Sequence, residues 1–259
     1  MIAKLLQKQR ALIVAGAISL GMFLVLAVVA LFDTTPILGV NRWVKPMKFT
    51  LSPAIYVWTL AVFLYFLRGR ELAKKVIAYG VIFIMFVETG LIIIQAARGT
   101  ISHFNVTNAF DGAIFSAMGI LIGINTLLII YLLFLYFQAE IDLPAPIIWG
   151  IRLGIVLFLF SSAVGALMSV WLRHSVGVRD GGPGLPFVNW SMRGGDLRVA
   201  HFIGLHALQA VPLFAYVLQR HTGKHATLGT AIFALAYLGI FALVLAQALA
   251  GKPLLAILY

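Results

Sequence analysis

Long apolar runs, each closed by charged residues or by clusters of Gly, Pro and Asn, recur seven times along the chain. They cover approximately Ala11–Phe32, Thr50–Leu67, Val76–Ala97, Gly112–Phe137, Ile147–Leu172, Val199–Leu218 and Leu228–Leu249. About twenty apolar residues in helical conformation cross a hydrocarbon layer roughly 30 Å thick. A backbone inside lipid must satisfy its own hydrogen bonds, which helices do. The pattern therefore predicts an all-α polytopic membrane protein, a seven-transmembrane-helix bundle forming one integral membrane domain over residues 1–259.

The connections between the runs alternate in character. Arg68–Lys75, Gln138–Pro146 and Arg220–Thr227 are short and turn-like. Asp33–Phe49, Arg98–Asp111 and Arg173–Arg198 are longer and rich in Gly, Pro, Asn, His and aromatic residues. Successive connections lie on opposite sides of a membrane, so the three elaborate loops share one face. Loops that carry more than a turn's worth of chemistry are where function concentrates. A polar pocket is expected at that face, opposite the N-terminus.

Composition sharpens this picture. Hydrophobic residues make up 62% of the 259 and charged residues 10%, where a soluble domain carries about a quarter charged. There is no cysteine, which excludes disulfides, thiolate metal sites and cysteine nucleophiles. The first run follows Lys4, Lys8 and Arg10 and is too long for an ordinary signal-peptide core, so it reads as a retained helix. The net charge of +11 comes from basic residues scattered among short loops, a distribution that suits lipid headgroups and not nucleic acid. Lys and Arg number ten on the N-terminal side and nine on the other. The compact N-side clusters favour a cytoplasmic N-terminus in a bacterial inner or plasma membrane.

Ionisable residues in or beside the apolar runs are the candidates for chemistry. Glu88 lies well inside the third run, where a charge costs at least about 2.5 kcal/mol and is normally functional or paired. Gln95 and Arg98 continue the same helical stripe toward the elaborate loops. His103 sits in the following loop, and Asp111 at the start of the fourth run is a candidate N-cap or base. The sixth run opens with Asp196 and carries His201, His206 and Gln209. A spacing of five sets the two histidines about 140° apart around a helix, so each points to a different partner unless the helix start is irregular. Arg42, Lys45 and Arg98 are candidates for holding a carboxylate or phosphate headgroup, and the long loop that carries Trp190 reads as a lid over such a pocket or as a flexible connector.

Histidines plus a carboxylate without thiolates suit Zn or Fe. The leading expectation is accordingly a metal-dependent membrane enzyme of hydrolase type acting on a small lipophilic or lipid-linked substrate. In it His103, His201 and His206 hold the metal and Glu88 or Asp111 acts as base, while Arg42, Lys45, Gln95, Arg98, Trp190 and Gln209 bind substrate. The order His, Asp, then a His pair in a seven-helix protein resembles the membrane hydrolases related to alkaline ceramidase and the adiponectin receptors. That family carries H-x-x-x-H on its last helix, whereas this chain has His201-x-x-x-x-His206 on its sixth. Two alternatives stand beside it. One is a b-type haem or quinone electron-transfer protein, with His103 or His174 paired to His201 or His206. The other is a transporter, sensor or accessory subunit with Glu88 as a proton or cation site.

Overall fold

The computed structural model describes residues 2–255, which are mostly helical, with two short hairpins and irregular loops between the helices. Seven helices among the described residues are long and apolar enough to cross a membrane: α2 (Arg10–Phe32), α3 (Val44–Phe66), α4 (Glu71–Ala97), α5 (Ala109–Gln138), α6 (Ala145–Trp171), α7 (Leu197–Thr222) and α8 (Ala226–Leu249). A short helix, α1 (Ile2–Lys8), precedes them. The chain is a membrane-spanning helical protein, and all seven expected spans are present.

Their ends depart most from expectation at α3, which begins six residues before Thr50. Val44-Lys-Pro-Met-Lys48 reads as a loop because it is broken by charge and proline. Proline is tolerated in a first helical turn, where its missing N–H has no partner to lose. Lysines at a helix end keep their heads in the interface while their stems lie on apolar surface.

Two compact units divide the chain, residues 1–140 and residues 141–259. In the first, α3 packs on α2 and α4, and α4 on α5. The Trp58 ring crosses α2 at Gly16, where a Cβ would lie 2.2 Å from its Nε1, and that nitrogen donates to the Ile13 carbonyl at 3.1 Å. Tyr136 on α5 donates to the Phe63 carbonyl at 2.8 Å, and Tyr56 on α3 donates to Asn125 Oδ1 at 3.1 Å. Each buried hydroxyl thus cross-links α3 and α5. A hairpin, β1 (Pro36–Ile37) with β2 (Val40–Asn41), joins α2 to α3.

In the second unit α6, α7 and α8 pack on one another. Small residues let α6 and α7 approach closely, as membrane helices do without a hydrophobic drive between them. A Cβ at Gly154 would fall 2.8 Å from the Ala207 carbonyl oxygen, and one at Gly150 would fall 2.8 Å from Ala215 Cβ. A second hairpin, β3 (Ser175–Val176) with β4 (Gly195–Asp196), closes the long α6–α7 connection at its base. Gly195 presses on the end of α8, where a Cβ would fall 1.8 Å from the Ala248 carbonyl oxygen.

Candidate functional site

At the end of unit 1 where α4 stops and α5 starts, Asp111 is a hub. Its Oδ1 accepts from Gln95 Nε2 at 2.9 Å and from Arg98 Nη1 at 2.5 Å, and its Oδ2 accepts from Asn108 Nδ2 at 2.7 Å. Arg98 Nη1 also donates to Gln95 Oε1. The Asp111 backbone N–H donates back to Asn108 Oδ1 at 2.9 Å, which makes Asn108 the N-cap of α5. Asp111 is 3% exposed and Gln95 fully buried, while the Arg98 side chain remains 39% exposed over the Phe110 ring. Three of the expected site residues therefore do come together, and their contacts clamp α4 to α5.

Beside this clamp, Arg42 is drawn into a second ion pair. Its Nε donates to Asp33 Oδ2 at 2.7 Å and its Nη2 to the same oxygen, which also accepts from Trp43 Nε1 at 2.9 Å. Hydrogen bonds from Thr35, Trp43 and Arg42 hold the Asp33 carboxyl far below the usual carboxylate range. Arg42 Nη1 reaches the Ala97 carbonyl at 3.4 Å. This set braces the β1–β2 hairpin against α4, a role the sequence signals only through the acid at the start of the loop.

Deeper in the same unit the arrangement is different. Glu88 lies nine residues before the end of α4, roughly 13 Å along the axis, and is 3% exposed. Among the described residues, its two carboxyl oxygens are the buried side-chain polar atoms without a hydrogen-bond partner. The neighbouring Thr89 hydroxyl donates to the Phe49 carbonyl on α3 at 2.8 Å. Lys45, one turn before Phe49, acts electrostatically on Glu88, and its Nζ lies 5.9 Å from the Phe49 ring centre. His103 packs among rings, at 5.6 Å from Phe49, 6.1 Å from Phe104 and 6.4 Å from Phe115, with Nδ1 3.2 Å from Ser102 Oγ. The turn of α3 from Lys45 to Phe49 thus links Glu88 to His103, and Phe49 carries no sequence signal of that role.

In unit 2 the two histidines of α7 turn to different partners, as their spacing requires. His201 clasps α6: its Nδ1 lies 2.8 Å from the Ser161 carbonyl oxygen, and Ser161 Oγ donates to the His201 carbonyl at 2.5 Å. Gly165 makes room for the imidazole, since a Cβ there would fall 2.9 Å from Cε1. The His206 Nδ1 lies 2.9 Å from the Phe202 carbonyl oxygen, and its ring is 4.1 Å from that of Phe202. A carbonyl only accepts, so Nδ1 carries the proton in both rings and Nε2 is the nitrogen left to act as base or ligand. Gln209 follows His206 by three residues, half-buried. Trp190, from the long loop, meets Phe202 edge-on at 5.5 Å. Among the described residues no three His, Asp or Glu side chains are grouped as for a metal ion.

The long α6–α7 loop is stitched down by two acids. Asp180 accepts from the backbone N–H groups of His174 and Ser175 at 3.2 and 2.9 Å. Asp196, the N-cap of α7, accepts from Ser191 N at 2.8 Å, Arg198 N at 3.0 Å and Arg198 Nη2 at 2.6 Å. Burial pushes the Asp196 carboxyl up, but hydrogen bonds and charge from Arg198, with His174 and the Ser191 amide, leave it net below its ordinary value. The Gly- and Pro-rich composition of this segment suits a flexible connector or lid; its course is set by hydrogen bonds from its backbone to these two acids.

No protein-family model matches the chain, and no curated protein or solved structure matches it. The fold defines the class, a polytopic helical membrane protein.

Proposed function

We propose that the protein handles a proton or small cation within the bilayer at Glu88, as the working group of a transporter or sensor. The observation that carries this reading is the pair of unpartnered carboxyl oxygens on a side chain 3% exposed in the middle of α4. A buried acid kept for structure is tied by donors, as Asp111 is. A carboxyl without donors exchanges a proton or binds a cation without first breaking a hydrogen bond. Lys45 on α3 feels the charge that such an exchange adds or removes. The Thr89–Phe49 bond joins the same two helices at that depth, so the exchange bears on how α3 sits against α4.

Infrared difference spectroscopy of the purified protein through a pH titration tests this. A carboxylic C=O band that appears and vanishes reversibly, and is missing in Glu88→Gln, is the expected result. Its persistence in Glu88→Gln overturns the assignment. Modification by a hydrophobic carbodiimide is expected at Glu88 and is slowed by cations that bind there.

A second reading, the metal-dependent enzyme acting on a lipid-linked substrate, is favoured by one observation. His201 and His206 both fix Nδ1 on a backbone carbonyl, which is how proteins orient Nε2 toward a metal. The same orientation serves a b-type haem. Metal analysis and a visible spectrum separate these: stoichiometric Zn or Fe lost in His206→Ala supports the enzyme, and a Soret band supports the haem protein. A colourless, metal-free protein that stays folded leaves Glu88 as the working group. A cytoplasmic N-terminus in a bacterial inner membrane would place the Asp111 end of unit 1 on the outer face.

A further inference from the structure

The loop of unit 2 carries a charge arrangement that the Glu88 reading does not use. His174 lies between two carboxylates, with Nδ1 3.4 Å from Asp180 Oδ1 and 3.7 Å from Asp196 Oδ1. Its side chain is 15% exposed and that of Asp196 is 1% exposed. Among the described residues, the permanent cation paired with these carboxylates is Arg198, which is spent on Asp196. With a neutral imidazole the hub therefore holds two negative charges against one positive, and protonating His174 brings the count to zero.

Arg173, the residue before His174, turns away to lie over Trp171 at 5.8 Å. Arg179, beside Asp180, is exposed. From α8 the contact is made by the Ala248 carbonyl against Gly195, and past it Gly251 approaches Gly177 while Lys252 is exposed. Ser175 Oγ, 3.2 Å from His174 Nδ1, serves as donor to the neutral ring or as acceptor from the protonated one.

We propose that His174, Asp180 and Asp196 form a pH-sensitive clasp that tightens the loop over residues 174–198 when the imidazole takes up a proton. The hub reaches every limb of that loop. Leu197 N donates to the His174 carbonyl at 2.9 Å, Ser191 N binds Asp196, and Arg198 Nη2 donates to the Asn189 carbonyl. Asn189 and Phe187 sit in left-handed backbone conformations, φ 55° and 63°, which non-glycine residues adopt only at a cost in strain. Arg198, held by Asp196, fixes the Asn189 carbonyl, so loosening the hub lets that strain relax and the charge on His174 bears on the loop. The sign follows from which form binds the proton more tightly. The closed loop does, so its added stability is complete in acid and is lost as pH rises through the imidazole's range.

Trypsin accessibility at the exposed Arg179 and Arg193 in the full protein, reconstituted in nanodiscs, reads the clasp directly. Comparing each variant with wild type at the same pH cancels the protease's own pH dependence. Wild type is expected to be cut roughly threefold or more slowly than His174→Gln at about pH 5.5, the two converging at about pH 8. Asp180→Asn should flatten the pH dependence of the cut in the same way. A ratio that stays constant across this range overturns the proposal. If His174→Gln does not fold, hydrogen exchange in wild type decides. Amides of residues 174–198 must gain protection relative to the 36–41 hairpin as pH falls, and an unchanged ratio overturns the clasp. Neither outcome depends on Glu88.

Discussion

Asp111 and Glu88 are both 3% exposed acids in the same unit, yet they are built in opposite ways. Asp111 accepts from three side chains, and its backbone N–H donates in return to the Asn108 cap. Glu88 accepts from none. Desolvating a carboxylate is expensive, and hydrogen bonds with a paired cation offset that cost. Asp111 is arranged to meet that cost permanently and so belongs to architecture. Glu88 leaves it unmet, which marks where a proton, cation or ligand is expected. Burial of an acid is thus a poor guide to function; the donors around it are the discriminating feature.

The sharpest way to break this comparison is to remove the tied acid. Asp111→Ala strands Gln95, Arg98 and Asn108 and should cost about 3 kcal/mol, the lower end for a broken buried pair because Arg98 is partly exposed. Thermal unfolding in detergent reads it, and an unchanged Tm would remove the structural role assigned here. Gly195→Ala, forced against the Ala248 carbonyl, should cost about 2 kcal/mol by overpacking, seen in the same assay. Ser161→Ala removes one hydroxyl from the α6–α7 clasp and should cost about 1 kcal/mol. Glu88→Gln should change Tm least of the buried substitutions, because no bond is broken. A large loss of stability there would reveal a structural partner for Glu88 and sink the contrast.

Acid titration adds a last, smaller test. The Asp33 carboxyl is held far below its ordinary value in the folded state. Its contribution is therefore complete above the unfolded value of about 3.9 and is lost as pH falls through the folded one. Asp33→Asn should lower stability near neutral pH and make unfolding less sensitive to acid below about pH 4. Equal acid sensitivity in the two proteins would show that the Arg42 pair contributes nothing.

Much of the fold is legible from hydropathy because lipid leaves a chain so few options. The seven spans follow from run length alone, and charge or proline hides the starts of two: Lys45, Pro46 and Lys48 that of α3, and Glu71, Lys74 and Lys75 that of α4. The site is legible in part. A stripe of Glu88, Gln95 and Arg98 follows from helical periodicity, and the divergence of His201 from His206 follows from a spacing of five. What periodicity cannot carry is which neighbouring helix answers each polar group. Gln95 and Arg98 are answered by Asp111 sixteen and thirteen residues away. Glu88 sits on the same stripe unanswered, and nothing in its spacing separates it from the other two. The loop after α6 misleads for another reason: glycines and prolines signal a lack of regular structure, which is not a lack of hydrogen bonds.

The close approach of α6 and α7 has a mechanical consequence. Glycines at 150, 154 and 165 remove the side chains that would let two helices slide over one another, and the reciprocal Ser161–His201 bonds pin the pair lengthwise. The two helices therefore behave as one stiff post. The His174 hub is mounted at the top of that post, where its hairpin joins both helices. A change of charge there finds little give below it, so its effect is felt in the loop that extends from residue 177 to residue 194.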